Sequence, residues 1–216
     1  MVFLYDLDGT IINSQEGVTK CVQYALRHFG IDVPDLAKLL PFIGPPLRQQ
    51  FMGLYGLSRE QADEAVEKYR ERYSVKGMYE CEVYPYVEES LKELKEKGCV
   101  LAVASSKNEA ACVDVLKNLG IDKYFDLICG ATDDGKISAK ADVLKLAMRR
   151  IGSGNPKDYV LVGDTKYDAA GAKAVNMDCI GVSYGFGTRE ELIAEDVICI
   201  CDSAREVAEY IERRYL

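Results

Sequence analysis

The sequence contains a single histidine, His28, among its 216 residues. This residue lies in a segment with a mixed polar and apolar helical pattern, which favours a surface position over a catalytic one. General acid and base chemistry would therefore have to come from carboxylates. Runs of basic residues are also missing, and the formal net charge is −8, so we expect no nucleic-acid partner.

Long apolar segments are missing as well, since no run approaches the ~20 residues that a membrane-spanning helix needs. No signal peptide fits, because the first predicted strand begins at residue 2. The eight cysteines include no C-x-x-C pair, and the chain is too long for a small disulfide scaffold. We therefore expect reduced thiols, a cytoplasmic location and no membrane partner.

The first thirteen residues combine a short apolar strand with two closely spaced aspartates. Residues 2–5, V-F-L-Y, are predicted to form a buried strand, and Asp6 and Asp8 follow it. Residues i and i+2 of an extended chain point the same way, so both carboxylates could face one space beyond the strand. Their repulsion would be relieved by a bound Mg²⁺. The alternative is that D-L-D-G forms only a turn.

Residues 14–80 have a helical pattern throughout. Helices are predicted at about 14–29, 35–40, 47–55 and 58–74. Ser58 and Gln61 have the spacing of a capping box, which is typical of a helix start. No strand-like run occurs in this block, so it is typical of a helical domain inserted into another fold.

From residue 81 onward, predicted strands alternate with helices. The strands are expected at 99–104, 125–129, 159–162, 179–182 and 197–200, and the helices at 86–97, 108–119, 140–151, 166–175, 189–194 and 204–214. This alternation predicts βαβ units and a parallel sheet. We therefore expect an α/β core of residues 1–13 and 81–216, with a helical domain of residues 14–80 inserted into it.

Four short motifs resemble those of the haloacid dehalogenase superfamily, in particular its phosphoglycolate phosphatase-like members with a helical cap. The motifs are D-L-D-G-T at 6–10, A-S-S-K at 104–107, K-A-D-V at 140–143 and G-D-T-K-Y-D at 163–168. They follow the family's order and span nearly the whole chain. The resemblance implies a Rossmann-like sheet whose central strand precedes Asp6, and it implies that residues 14–80 form the cap.

The resemblance also implies roles for the first motif. Asp6 would attack phosphorus and form an aspartyl-phosphate. Asp8 would give a proton to the leaving oxygen and later take one from water; alternatively it would serve only as a second metal carboxylate. In the family, this residue also contributes a backbone carbonyl to the metal. Thr10 would orient the loop beside the substrate, or would be a plain turn residue.

Ser105 ends a predicted strand, where the family places a Ser or Thr that hydrogen-bonds the phosphoryl oxygens. Ser106 is the neighbouring candidate for substrate binding. Lys140 opens a predicted helix, as the family's lysine does, and would neutralise phosphate and keep the nucleophile ionised. Lys136 is the alternative lysine. We expect Lys107 to be either solvated or a distal substrate contact.

Two further aspartates follow the strand at 159–162. Asp164 is a candidate metal ligand, and Asp168 lies one helical turn later, where it could bind the metal or its waters. The alternative for Asp168 is a first-turn carboxylate favoured by the helix dipole. With Asp6 and Asp8 these residues make an oxygen-only set without His or Cys, which favours Mg²⁺ over Zn²⁺.

In the helical block, G-P-P-L-R at 44–48 resembles the cap segment that faces the active site in phosphoglycolate phosphatase relatives. Arg48 would pair with an anionic leaving group of the substrate. The alternative is a solvated arginine at the start of a helix.

Together these features predict a Mg²⁺-dependent phosphatase for a small metabolite such as phosphoglycolate, a sugar phosphate or a nucleotide. Dehalogenase relatives lack the second aspartate, and phosphomutases add a His ten residues after it, where this chain has Val18. An inorganic pyrophosphatase and a phosphomutase remain alternatives. A non-enzymatic binding module would be expected to lose Asp6, Asp8 or the lysine. We expect a small phosphorylated substrate as the partner and a monomer or weak homodimer.

Overall fold

A computed structural model describes all residues from 1 to 216. The chain divides into two compact units, an α/β unit of residues 1–13 and 83–216 and a helical unit of residues 14–82. The strands are β1 (Val2–Tyr5), β2 (Ile12–Asn13), β3 (Glu82–Val83), β4 (Val100–Asn108), β5 (Leu127–Ala131), β6 (Tyr159–Gly163), β7 (Asp178–Val182) and β8 (Cys199–Cys201). β2 and β3 pair in a small separate sheet.

The α/β unit is built on a six-stranded sheet with the order β5-β4-β1-β6-β7-β8. All of its neighbouring strands run parallel, and β1 lies between β4 and β6. Its helices are α4 (Val87–Glu96), α5 (Glu109–Asn118), α6 (Lys140–Ile151), α7 (Lys166–Ala174), α8 (Arg189–Ala194) and α9 (Ala204–Tyr215). The predicted α/β fold with a Rossmann-like parallel sheet is confirmed.

Residues of β1 are buried on both faces of the sheet, as expected for a parallel strand covered by helices. Val2 and Leu4 belong to a core cluster with apolar residues of α6 and α7. Phe3 points to the opposite face, where its ring packs edge-on against Tyr215 of α9, with 5.7 Å between the ring centroids. Helices on both faces therefore fix the strand that leads into Asp6.

The observed strands differ from the predicted ones by two or more residues at three places. β5 covers Leu127–Ala131 and not 125–129. β4 continues to Asn108, four residues beyond the predicted end, and its pairing register with β5 shifts between Ala104 and Asn108. β8 covers Cys199–Cys201 and not 197–200. These strand ends depend on pairing with a neighbouring strand, which local apolar patterns do not encode.

The helical unit contains α1 (Gln15–His28), α2 (Leu47–Tyr55) and α3 (Arg59–Tyr73), with 3₁₀-helices at Leu36–Phe42 and Gly77–Tyr79. The predicted capping box is present, because Gln61 N donates to Ser58 Oγ at 3.2 Å and Ser58 N donates to Gln61 Oε1 at 3.0 Å. His28 pairs with Glu64 at 2.7 Å and its side chain is 40% exposed, which confirms its surface position.

None of the helices combines the length and the apolar character that crossing a bilayer would require. The eight cysteines are all unpaired by disulfides.

The fold predicts a large cost for truncating the central strand. Leu4→Ala should lower the free energy of unfolding by about 2–5 kcal/mol, because the side chain is fully buried and its removal leaves a cavity. Urea denaturation measures this loss. Val100→Ala is the control, since that side chain at the start of β4 is 36% exposed. Equal losses in the two variants would contradict the central position of β1.

Candidate active site

Parallel strands bring their carboxyl ends to one edge of the sheet, and the predicted site residues gather there. Asp6 follows β1, and its backbone N donates to Val162 O at 2.9 Å. Asp164 follows β6, while Ser105 lies within the last residues of β4. Lys140 is the first residue of α6. Residues that are far apart in sequence thus share one rim because of the strand order.

At this rim the Lys140 ammonium group contacts two carboxylates. Its Nζ lies 2.7 Å from Asp6 Oδ1 and 2.7 Å from Asp168 Oδ1, and it donates to Ala104 O at 2.9 Å. The lysine itself is only 7% exposed. Gly171 of α7 makes room for it, because a Cβ atom there would lie 2.5 Å from Lys140 Cγ.

Burial and mutual repulsion dominate the electrostatics of this cluster. Burial raises the pKa of Asp6, and the attraction of Lys140 only partly offsets that effect. Burial alone would lower the pKa of Lys140, but Asp168 and Asp6 outweigh it, so this pKa lies above its usual value. The pKa of Asp164 is raised by burial and then by Asp168 and Asp6. The cluster carries more negative charge than one lysine can balance.

Asp164 is fully buried and receives hydrogen bonds from neutral donors. Thr10 Oγ1 donates to its Oδ1 at 3.1 Å, and Phe186 N donates to its Oδ2 at 2.8 Å. Gly9 has a φ of +87°, and a Cβ atom there would lie 2.0 Å from Asp164 Oδ2. The tight turn after Asp8 therefore requires glycine for both its conformation and its contact with Asp164.

Asp168 is held by the start of its own helix. Its Oδ2 accepts from Thr165 N at 3.0 Å and from Thr165 Oγ1 at 2.8 Å. These contacts leave Oδ1 directed at Lys140. Asp168 thus makes the contacts expected of a carboxylate in the first turn of a helix, and it also belongs to the buried cluster.

Three aspartates could together hold a metal ion. The candidate ligand oxygens of Asp6, Asp164 and Asp168 all lie within 4.8 Å of one another. These hard oxygen donors, with surplus negative charge and neutral donors on Asp164, suit Mg²⁺. Asp8 lies outside this carboxylate cluster, and its predicted contribution through the backbone carbonyl stays a prediction.

Asp8 forms an ion pair with Lys107, a contact that was not predicted from the sequence. Lys107 Nζ lies 2.6 Å from Asp8 Oδ1, with the two side chains 11% and 17% exposed. The expectation that Lys107 is solvated is therefore wrong, and the alternative, a distal substrate contact, stays a prediction. The shifted register of β4 at this point gives the physical reason, because it turns the end of the strand away from a regular path.

The two candidate serines differ in burial. Ser105 is 2% exposed, and its Oγ accepts from Lys107 N at 3.3 Å. Ser106 is exposed. Of the two candidate lysines, Lys140 lies beside Asp6, whereas the Lys136 side chain is 83% exposed and pairs with Asp134 at 2.9 Å.

Arg48 lies in the helical unit, where its Nε pairs with the Asp63 carboxylate and about half of its side chain is exposed. Its predicted contact with a leaving group stays a prediction.

The segment after β7 also contacts the site, and no role was predicted for it from the sequence. Tyr184 OH donates to Thr10 O at 3.0 Å, and Gly185 packs so closely that a Cβ atom there would lie 2.3 Å from both Asp164 Cβ and Gly9 O. With the bond from Phe186 N, this segment fixes the loop after β1 and the Asp164 carboxylate together. The Y-G-F-G run at 184–187, directly after an apolar strand, was the available signal.

Comparisons with known proteins show which family and which solved structures the chain resembles. The family model described as haloacid dehalogenase-like hydrolase matches residues 3–182. A 5'-nucleotidase of Pseudomonas aeruginosa is 38% identical over 209 residues, covering 97% of this chain and 94% of that protein. Phosphoglycolate phosphatase 1 of the same organism is 27% identical over 211 residues, covering 94% and 77%. The crystal structure of a predicted phosphatase from Clostridium acetobutylicum is 40% identical, with a TM-score of 0.93 over 98% of each chain.

The buried lysine yields a prediction about stability. Lys140→Met should lower the free energy of unfolding by about 3–5 kcal/mol, because it leaves the buried carboxylates of Asp6 and Asp168 without their cation. Urea denaturation in a chelating buffer measures this effect. The control Lys136→Met removes an exposed charge and should change stability by no more than about 0.5 kcal/mol. Two variants with the same denaturation midpoint would contradict the buried ion-pair cluster.

Proposed function

The chain belongs to the haloacid dehalogenase-like hydrolases, and we propose that it is a Mg²⁺-dependent phosphatase that works through an aspartyl-phosphate on Asp6. The observation that carries this proposal is the buried contact between Lys140 Nζ and Asp6 Oδ1 at the end of the central strand. A carboxylate fixed at the carboxyl end of a central strand, beside a cation, suits nucleophilic attack on a phosphoryl group.

The reaction would take two steps. In the first, an oxygen of Asp6 forms a bond to phosphorus, the bond from phosphorus to the leaving oxygen breaks, and Asp8 gives that oxygen a proton. In the second, water forms a bond to phosphorus and gives a proton to Asp8, while the bond to Asp6 breaks. Lys140 would orient Asp6 throughout and offset the charge of the phosphoryl oxygens.

The metal ion would be held by Asp6, Asp164 and Asp168, with the backbone carbonyl of Asp8 as a further ligand. When bound, Mg²⁺ would supply positive charge that offsets the repulsion between these carboxylates and the phosphate. The surplus negative charge of the buried cluster supports this assignment. Ser105 would donate a hydrogen bond to the phosphoryl oxygens, with Ser106 and Thr10 beside the substrate.

The substrate is proposed to be a small phosphorylated metabolite. The similarity to a 5'-nucleotidase and to a phosphoglycolate phosphatase makes nucleoside monophosphates and phosphoglycolate the first compounds to test. Sugar phosphates and pyrophosphate complete the panel. Release of inorganic phosphate from this panel by the purified protein tests the proposal directly, and no release from any of them would overturn it.

We further propose a cytoplasmic location. The eight cysteines are free of disulfides, and five of the six that are buried lie in the α/β unit. Reduced thiols persist in a reducing compartment, which supports this location.

Asp6→Asn tests the nucleophile, because the substitution keeps the shape of the side chain and removes the attacking oxygen anion. Turnover should fall by about 10³-fold or more. Circular dichroism and melting temperature check that the variant folds. Asp134→Asn is a matched control, since this carboxylate pairs with the exposed Lys136 away from the cluster. Asp6→Asn turnover within about tenfold of the wild type would rule out the covalent mechanism.

Removal of the metal gives a second prediction for this site. Exhaustive chelation should abolish phosphate release, and added Mg²⁺ should restore it, because the carboxylate cluster repels a phosphate dianion without a cation. Mg²⁺ should also raise the melting temperature of the wild type, and Asp164→Asn should lose most of that rise. Full activity after chelation would show that the metal assignment is wrong.

A further inference from the structure

The last residues of β4 depart from a regular strand beside the proposed site. Ala104 pairs with Cys129, and the next pair joins Asn108 to Ala131, so four steps along β4 match two steps along β5. Bulges of this kind change the direction of side chains and are common next to active sites. Lys107 lies within this irregular segment.

Packing fixes the backbone of Lys107 on both sides. Its N donates to Ser105 Oγ at 3.3 Å. Its carbonyl oxygen lies against Gly130 of β5, where a Cβ atom would come within 2.6 Å of it. The next residue, Asn108, caps α5 by accepting from Ala111 N at 3.2 Å. The segment is therefore held by both β5 and α5.

This backbone directs the Lys107 ammonium group to Asp8. The distance from Nζ to Asp8 Oδ1 is 2.6 Å, and the two side chains are 11% and 17% exposed. Surface pairs of this chain are far more exposed, as in Lys136–Asp134 at 83% and 52%. Exposed pairs hold their partners weakly because solvent competes with them. The contact between Lys107 and Asp8 is shielded and can keep a carboxyl group in one orientation.

We propose that Lys107 is a positioning residue that holds the Asp8 carboxyl group for proton transfer. This inference rests on the proposed function. Lys107 occupies Oδ1, so Oδ2 is the oxygen that gives the proton to the leaving group and takes one from water. The lysine acts through Asp8 and makes no bond to the reacting atoms. The structure thus pairs one lysine with each aspartate of the first motif, the buried Lys140 with Asp6 and the partly buried Lys107 with Asp8.

The competing role for Lys107 is direct binding of the substrate's anionic groups. Leaving-group dependence separates the two roles, because a strongly acidic leaving group departs without a proton and a weakly acidic one does not. Loss of a positioning residue should lower kcat/KM, which reports the phosphorylation step, only for the substrates whose leaving group needs the proton. Loss of a phosphate-binding residue should lower kcat/KM for all substrates to the same extent, mainly because KM rises.

The experiment compares Lys107→Met and Lys107→Arg with the wild type on 2,4-dinitrophenyl phosphate, phenyl phosphate and glycerol phosphate. For Lys107→Met, kcat/KM on phenyl and glycerol phosphate should fall by about 10- to 100-fold. On dinitrophenyl phosphate, kcat/KM of this variant should stay within about twofold of the wild-type value, since that leaving group needs no proton. Lys107→Arg should recover part of the loss. The control Lys136→Met should match the wild type on all three.

A pre-steady-state measurement tests the second proton transfer. With dinitrophenyl phosphate, Lys107→Met should release a burst of dinitrophenol equal to the enzyme present, followed by slow turnover. The burst arises because phosphorylation of Asp6 proceeds normally while water attack, which needs Asp8 as the base, is slow. A linear time course at the wild-type rate would overturn the positioning role.

A glycine variant tests the positioning role without replacing Lys107. Gly130→Ala changes no proposed site residue, and its Cβ atom would press on the Lys107 carbonyl and on the Glu109 backbone, each about 2.6 Å away. It should show the same leaving-group dependence, whereas Gly154→Ala, which has open space around it, should not. Circular dichroism and melting temperature report whether each variant folds.

If the wild type is active, two results would overturn this inference and leave the proposed function standing. They are an equal loss on all three phosphates with a raised KM, and wild-type values for every Lys107 variant. A wild type that hydrolyses none of the three phosphates would overturn the proposed function and this inference with it.

Discussion

The ammonium group of Lys140 lies between two buried carboxylates, those of Asp6 and Asp168, and contacts both at 2.7 Å. Without it, the end of the central strand would hold buried charges of one sign, which proteins tolerate poorly. The pKa values of Asp6 and Asp164 are raised first by burial and then by repulsion from the neighbouring aspartates, which Lys140 offsets only in part at Asp6. The aspartates are therefore already in place to hold the divalent cation that we propose for this site.

This arrangement depends on the order of the strands. Asp6 and Lys140 are 134 residues apart in sequence, yet parallel pairing of β1 with β4 and β6 brings their elements to one edge of the sheet. Close packing then requires residues without side chains, as at Gly171 beside Lys140 and Gly185 beside Asp164. Substitutions at these glycines would move charged groups without changing any of them.

Much of this site could be predicted from local sequence. An apolar run before Asp6, the helix start at Lys140 and the apolar strand before Asp164 each signal a strand end or helix start, and parallel topology brings those ends together. The contact between Lys107 and Asp8 could not be predicted, because it depends on a register shift between β4 and β5. The role of the segment after β7 could not be predicted either, because its hydrogen bond to Asp164 comes from a backbone N–H group, which almost every residue type has.

The central claim is that Asp6, oriented by Lys140, becomes phosphorylated during turnover. The most direct test is to quench the enzyme in acid during hydrolysis, reduce it with borohydride and map its peptides by mass spectrometry. Borohydride converts an aspartyl-phosphate to homoserine, so the account predicts homoserine at position 6 and aspartate at positions 8, 164 and 168. Unmodified aspartate at position 6 under conditions of rapid turnover, or homoserine at another position, would contradict it.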